Sequence, residues 1–408
     1  MVDYLIAIAM SSLLTCLLVW LLHPFAHRHG LLDLPNGRKD HAYPTPVTGG
    51  LAIAVAVFAT LFTLNEYSAM LAAFAAASML LIVVGLLDDA YDLRWWWRMM
   101  SQVAAGLIMV YWGGVRVEYV GPIFTDAPID LGVWAVPFTL AATVGLINAV
   151  NMSDGADGLA GSLGLVALLM LGAASLYAGN EHLFASLLPI ISAVAVFLVF
   201  NMRFPWQRRA KVFLGNAGSA FLGFTIAWVA FRLTQNTAHP VSPVLAPWLL
   251  APPLIDCLVL IVRRLKLGRS PFRGDRDHAH HLLLDAGFNP TQVALGLAVL
   301  SLLLGSIAAL VLQTNIGNET HLLIGFGGLT AGYYWLTSQR CRAVRTFTRL
   351  RVLLQRSKPF DPRNRIKRPS HRPSHAGRHS KLPSADETEQ LRARRVDRTS
   401  AQQSCEKG

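Results

Sequence analysis

Apolar residues run through this chain in long blocks separated by short polar stretches. Eleven blocks stand out, at about 4–22, 48–64, 69–87, 101–115, 131–149, 159–178, 183–200, 212–231, 244–262, 291–312 and 321–337. A helix needs about 17 to 25 apolar residues to cross the hydrocarbon core of a bilayer. Lipid offers the backbone no hydrogen bonds, so such blocks form helices rather than open strands. The pattern predicts an all-α, polytopic integral membrane protein with about 11 transmembrane helices. The first block opens "MVDYLIAIAM", with an acidic residue and no basic one ahead of it. That favours a retained helix over a cleaved signal peptide.

Composition agrees. The chain is 53% hydrophobic and 15% charged, against about a quarter charged in soluble domains. A net charge of +12 would suit nucleic acid, but the placement of the cations says otherwise. Nineteen of the 36 Lys and Arg follow residue 337, and 15 of the others fall in four alternate loops, 23–47, 88–100, 201–211 and 263–290. Only Arg116 and Arg232 lie in the intervening loops. The positive-inside rule puts the four basic loops and the C-terminal tail in the cytoplasm and the N-terminus outside.

Two regions follow: a membrane-embedded domain over 1–340 and a basic cytoplasmic tail over 341–408. From about Arg356 the tail is rich in Arg, Ser, Pro and His and too poor in apolar residues to form a core, so it is expected to be largely disordered. Attraction to anionic lipid head groups is its simplest role. Cys16, Cys257, Cys341 and Cys405 show no metal-ligand spacing and no disulfide framework, and are expected to be ordinary thiols.

Polar side chains at the ends of apolar segments are costly and mark sites, and here the clusters gather on the side expected to be cytoplasmic. The first loop, "LLDLPNGRKDHAYPTPVTGG", has a Pro-Asn-Gly turn followed by Arg38, Lys39 and His41, a presentation suited to an anion or to simple anchoring. The third block ends "VVGLLDDAYDLRWWWRMM". Asp88 and Asp89 there oppose the helix macrodipole and need a compensating cation, which points to a metal or to base chemistry. Trp95, Trp96 and Trp97 suit an interfacial aromatic belt.

The turn "GLINAVNMSDGADGLAG" holds Asn148 and Asn151, then Asp154 and Asp157, each pair three residues apart. At helical spacing each pair would share a face, and Gly155, Gly158 and Gly161 would let a ligand approach the backbone. The terminal Glu of a calcium-binding EF-hand is missing. The loop "RRLKLGRSPFRGDRDHAHHLLLDAGF" adds Arg263, Arg264, His278, His280 and His281, with neither a Cys partner nor the H-E-x-x-H pattern of zinc sites. No P-loop and no dinucleotide fingerprint is present. Acids for a divalent cation, with cations and imidazoles for phosphate, add up to a cavity suited to phosphoryl transfer.

These clusters, in this order, resemble the polyprenyl-phosphate N-acetylhexosamine-1-phosphate transferase family, glycosyltransferase family 4. The motifs that carry the resemblance are "DLPNGRKDH", "GLLDDAYDL", "NAVNMSDGADGLAG", "KVFLGNAGSAFLGF", "HPVSPVLAPW" and the His-rich loop, from about Leu31 to Phe288. The "HAHH" and "HPVSPV" forms are similar to the undecaprenyl-phosphate N-acetylglucosamine branch rather than to the muramoyl-pentapeptide branch. The resemblance implies transfer of N-acetylglucosamine 1-phosphate from UDP-N-acetylglucosamine to undecaprenyl phosphate, with UMP released. The lipid-linked product would start O-antigen or another surface glycan, in lipopolysaccharide biosynthesis at the bacterial inner membrane. Mg²⁺ or Mn²⁺ would be required.

Carried over residue by residue, Asp88 and Asp89 are implied as catalytic, as metal ligands or as the base for the lipid phosphate. Lys39, Asn148, Asn151, Asp154, Asp157, Lys211, Arg264, His278, His280 and His281 would bind substrate. Asp88, Asp89, Asn151 and Asn216 would hold the metal. The departure is Asn216, where the family usually carries Asp: the amide keeps a carbonyl oxygen and loses the charge. A paralogue impaired in catalysis, a transporter and a scaffold for glycan assembly are the alternatives.

Overall fold

The computed structural model describes residues 2–34, 43–64, 68–124, 127–235, 241–270 and 276–356, with side chains to 354. Lys39, Arg38 and His41 lie outside the described residues, as does the tail from 357. In chain order the elements are α1 (Val2–His29), β1 (Leu32–Asp33), β2 (Thr45–Pro46), α2 (Gly49–Leu64), α3 (Ala69–Tyr91), α4 (Trp95–Tyr111), α5 (Ala135–Ser153) and α6 (Leu159–Tyr177). They continue with α7 (Glu181–Asn201), α8 (Gly215–Thr234), α9 (Ala246–Leu249), α10 (Ala251–Lys266), α11 (Ala279–Asp285), α12 (Pro290–Gln313), α13 (Glu319–Thr337) and α14 (Arg340–Arg356). The strands make one antiparallel ribbon.

Every one of the eleven apolar blocks is helical, and the protein is an all-α polytopic membrane protein. Among the described residues, seven helices are long and apolar enough to cross a bilayer, or eight with the bent pair α9–α10 counted as one span. The α2 helix is apolar but has only 16 residues. The ninth block breaks by 85° between α9 and α10. Pro252 and Pro253 follow the break. A proline lacks the amide hydrogen and clashes with the carbonyl four residues back, so the helix cannot run straight through Leu250.

The bundle is arranged around α8, which is buried along almost its whole length. Small residues let its neighbours approach backbone to backbone: a Cβ on Gly50 of α2 would collide with the backbone of Gly218, and one on Gly85 of α3 with that of Ala217. The far half of α8 is filled by aromatic side chains, with Phe74 stacked on Phe224 at 6.1 Å and Trp228 5.3 Å from Phe74. The near half opens where the basic loops meet. There the amide of Phe213 donates to the carbonyl of Pro46, that of Gly49 to Phe213, and the Thr291 hydroxyl to the carbonyl of Arg203.

At the start of the tail, ahead of the stretch expected to be disordered, α14 packs on α11 and α13. One expectation changes. Cys16 and Cys257 are free thiols as expected, whereas Cys341 is disulfide-bonded.

Candidate active site

The acidic pair closes α3, and its two carboxylates face different partners. Asp88 is buried and bonded to Arg98 of α4 at 3.2 Å, which supplies the compensating cation its place at a helix C-terminus demands. Asp89 accepts the amide hydrogen of Asn216 at 3.0 Å, at the start of α8. The positive end of that helix offsets its charge. Gly215 makes this possible: it stands at φ +75°, and a Cβ there would lie 2.7 Å from the Asp89 carboxylate.

Asn216 itself is engaged. The Asn151 amide donates to its side-chain oxygen at 2.9 Å and to Ser219 Oγ at 2.9 Å. One turn earlier, Asn148 donates to Gln102 at 2.7 Å. The two asparagines therefore share a face, as their spacing predicts, and line one cleft with Gly85, Arg98, Gln102 and Asn216.

The second pair behaves differently, because residues 154–158 form a turn rather than a helix. Asp154 and Asp157 diverge. Asp157 takes Arg203 Nε at 2.5 Å, whereas Asp154 faces α8, where the amide of Gly215 donates to it. Loss of water pushes the Asp154 carboxyl up to about 7, with the charges of Asp89, Asp33 and Asp157 adding to the push. Asp33 thus belongs to the acidic cluster, although the sequence singled out the cations later in its loop instead.

Between the two acids, Gly155 touches the His loop. A Cβ on Gly155 would collide with Nε2 of His280. The acidic and histidine clusters are therefore halves of one site, joined at a glycine. His280 is buried, and its Nε2 has no hydrogen-bond partner among the described residues. Burial holds its pKa well below the ordinary histidine value, aided by His281, His278 and Arg276. Burial thus favours the neutral ring.

His278 turns inward. Its Nδ1 meets Asp256 of α10 at 2.8 Å, and Asp256 also accepts from Tyr333 Oη at 2.6 Å and from the amide of Ala279 at 3.0 Å. Asp256 orients the His loop, and its acid inside the run "APPLIDCLVL" was the available signal. Arg264 is buried in the last turn of α10, and the His281 ring lies tilted against that of His280, 4.2 Å between centroids. Lys211 is exposed in the loop before α8, and no described contact joins its side chain to the cluster.

Comparison with known proteins fits this geometry. A family model for Glycosyl transferase family 4 matches residues 70–234. Over 350 residues the chain is 33% identical to the undecaprenyl-phosphate alpha-N-acetylglucosaminyl 1-phosphate transferase of Escherichia coli (strain K12), covering 86% of this chain and 95% of that one. The enzyme of the same name from Yersinia pestis is 36% identical over 282 residues, covering 69% and 77%. That of Haemophilus influenzae is 31% identical over 337 residues, covering 83% and 95%.

The chain belongs to glycosyl transferase family 4. As a member it is a membrane-embedded transferase, and the family match spans α3 to α8. That span includes the acidic pair, both asparagines and Asn216; the His loop lies beyond it. The family resemblance also implies a divalent metal. Among the described residues no three His, Cys, Asp or Glu side chains form a metal-binding group. The acidic cluster nevertheless offers carboxylate oxygens, and the charges of Asp89, Asp33 and Asp157 add to the loss of water that raises Asp154. Mg²⁺ commonly takes one or two protein carboxylates and completes its shell with substrate phosphates and water, so the residues fit it.

Proposed function

We propose that this protein transfers N-acetylglucosamine 1-phosphate from UDP-N-acetylglucosamine to undecaprenyl phosphate. A phosphate oxygen of the lipid attacks the phosphorus that bears the sugar, the bond to the bridging oxygen breaks, and UMP leaves. The observation that carries the reading is the Gly155–His280 junction, which joins carboxylates and imidazoles into one site at the bundle's polar end. The relatives named for this reaction support it. A site there can receive an apolar lipid from the bilayer and a soluble nucleotide sugar from the aqueous side.

Asp89 and Asp154, beside the start of α8, are the groups that would hold Mg²⁺ or Mn²⁺, with Asp88 nearby on Arg98. The ion, when bound, neutralises charge on the diphosphate. Asn148 and Asn151 line the cleft where a substrate would lie, and His280 offers a neutral ring nitrogen. Arg264 and Lys39 are proposed phosphate partners. The cytoplasmic orientation, the bacterial inner membrane and the initiation of O-antigen or a related glycan belong to the same proposal.

Asn216 favours a second reading. Its oxygen is already engaged by Asn151, and this would suit a paralogue that binds the nucleotide sugar without turning it over. Purified protein incubated with labelled UDP-N-acetylglucosamine, undecaprenyl phosphate and Mg²⁺ decides between them. Label in the lipid with UMP released is the expected result. Label bound but unreacted overturns the transferase reading.

A further inference from the structure

The basic helix α14 has two faces with different work. Its sequence, "RCRAVRTFTRLRVLLQR", contains six arginines and no acid. The inner face fastens the His loop. Arg340 pairs with Asp285, with Asp277 at 2.8 Å, and with the carbonyl of Arg276 at 2.8 Å. Asp277 is held from the other side by Arg263 of α10 at 2.9 Å, directly before His278. Further along, Arg351 donates to the carbonyl of Gly287 at 2.8 Å. Gly287 stands at φ +91°, and the Arg351 guanidinium occupies the place where a Cβ would be.

The outer face is unlike a solvated one. Arg342, Arg345 and Arg349 follow one another at spacings of three and four residues and so form a single stripe along the helix. Leu350, Leu353 and Leu354 are exposed beside it. The helix also begins at a boundary marked by aromatic rings. Trp335, 64% exposed at the end of α13, lies beneath the Arg342 guanidinium at 4.3 Å, and Lys266 of α10 lies 4.8 Å over Tyr334. Trp and Tyr at the ends of apolar helices mark the membrane–water interface.

We propose that α14 is a surface strap: it docks its outer face on anionic phospholipid and with its inner face holds the His278–His281 loop in place. An arginine stripe flanked by exposed leucines is the composition of a helix lying in the head-group region, with cations for acidic lipid and apolar side chains for the acyl boundary. The lipid docking stands by itself, while its consequence for catalysis rests on the transferase reading.

The test uses the full chain in nanodiscs of phosphatidylcholine alone or mixed with phosphatidylglycerol, read by hydrogen–deuterium exchange. Acidic lipid should slow exchange several-fold in both 340–354 and 276–287, and high salt should weaken the effect. The double variant Arg345→Gln, Arg349→Gln should lose the lipid dependence, and Arg345→Lys, Arg349→Lys should keep it. Arg345 and Arg349 are exposed, so both double variants should melt like the parent. Exchange that is the same in the two lipids, or a Gln variant that keeps the dependence, overturns the docking. Protection confined to 340–354 overturns the strap. Absence of UMP release with the lipid-dependent protection intact counts against the proposed reaction alone.

Discussion

Asn216 sits between an acid on α3 and an amide on α5, and its own charge is the variable to test. In Asn216→Asp a carboxylate replaces an oxygen already engaged by Asn151 and joins Asp89 at the start of α8. The Mg²⁺ concentration for half-maximal transfer should fall about tenfold, equivalent to about 1.4 kcal/mol; an unchanged or higher requirement refutes a weakened metal site. Asp154 makes a second prediction. Its carboxyl is raised from 3.8 to about 7, so the folded state holds the proton more tightly than the unfolded one. Its contribution to stability is fully present below about pH 4 and lost as pH rises through about 7. Melting temperatures of the metal-free protein should therefore decline across that window, and Asp154→Asn should flatten this part of the profile. Asp88, Asp89, Asn148 and Asn151 were legible in the sequence because polar groups at the ends of apolar runs are conspicuous. Asp33 was not, because only folding brings β1 against α3.

At the scale of elements, the turn between α5 and α6 joins the two clusters, and Gly155 is its tightest point. Gly155→Ala would drive a methyl group into His280 and should cost about 1–3 kcal/mol, as overpacking does. The double variant Gly155→Ala, His280→Ala should recover most of that loss, because the clash is pairwise. Thermal denaturation of the four proteins checks this, and additive losses would refute the contact. Helical spacing correctly put Asn148 and Asn151 on one face. It failed for Asp154 and Asp157, since α5 ends at Ser153 and the glycine-rich turn sends the two acids to different partners. The bend between α9 and α10 was likewise missed. The proline pair was visible, but the partners that settle each geometry were not.

Over the whole molecule, the described parts of the basic loops meet at one end of the bundle, and Arg116 pairs with Glu118 in an intervening loop. Single cysteines placed at Arg208 and at Arg116, in a background without the natural cysteines, should react with an impermeant thiol reagent from opposite sides of sealed vesicles. Labelling of both from one side would break the proposed topology. Hydropathy alone determined that this chain is an all-α membrane protein, because a backbone in lipid has only the helix to satisfy it here. The order of its motifs determined the family. What only the tertiary structure decided is how the polar residues are partnered: Arg98 for Asp88, the start of α8 for Asp89 and Asp154, Asp256 for His278, and α14 for the His loop. Those pairings join residues far apart in sequence across packed helices, and their energies depend on burial and distance, which a linear pattern does not contain.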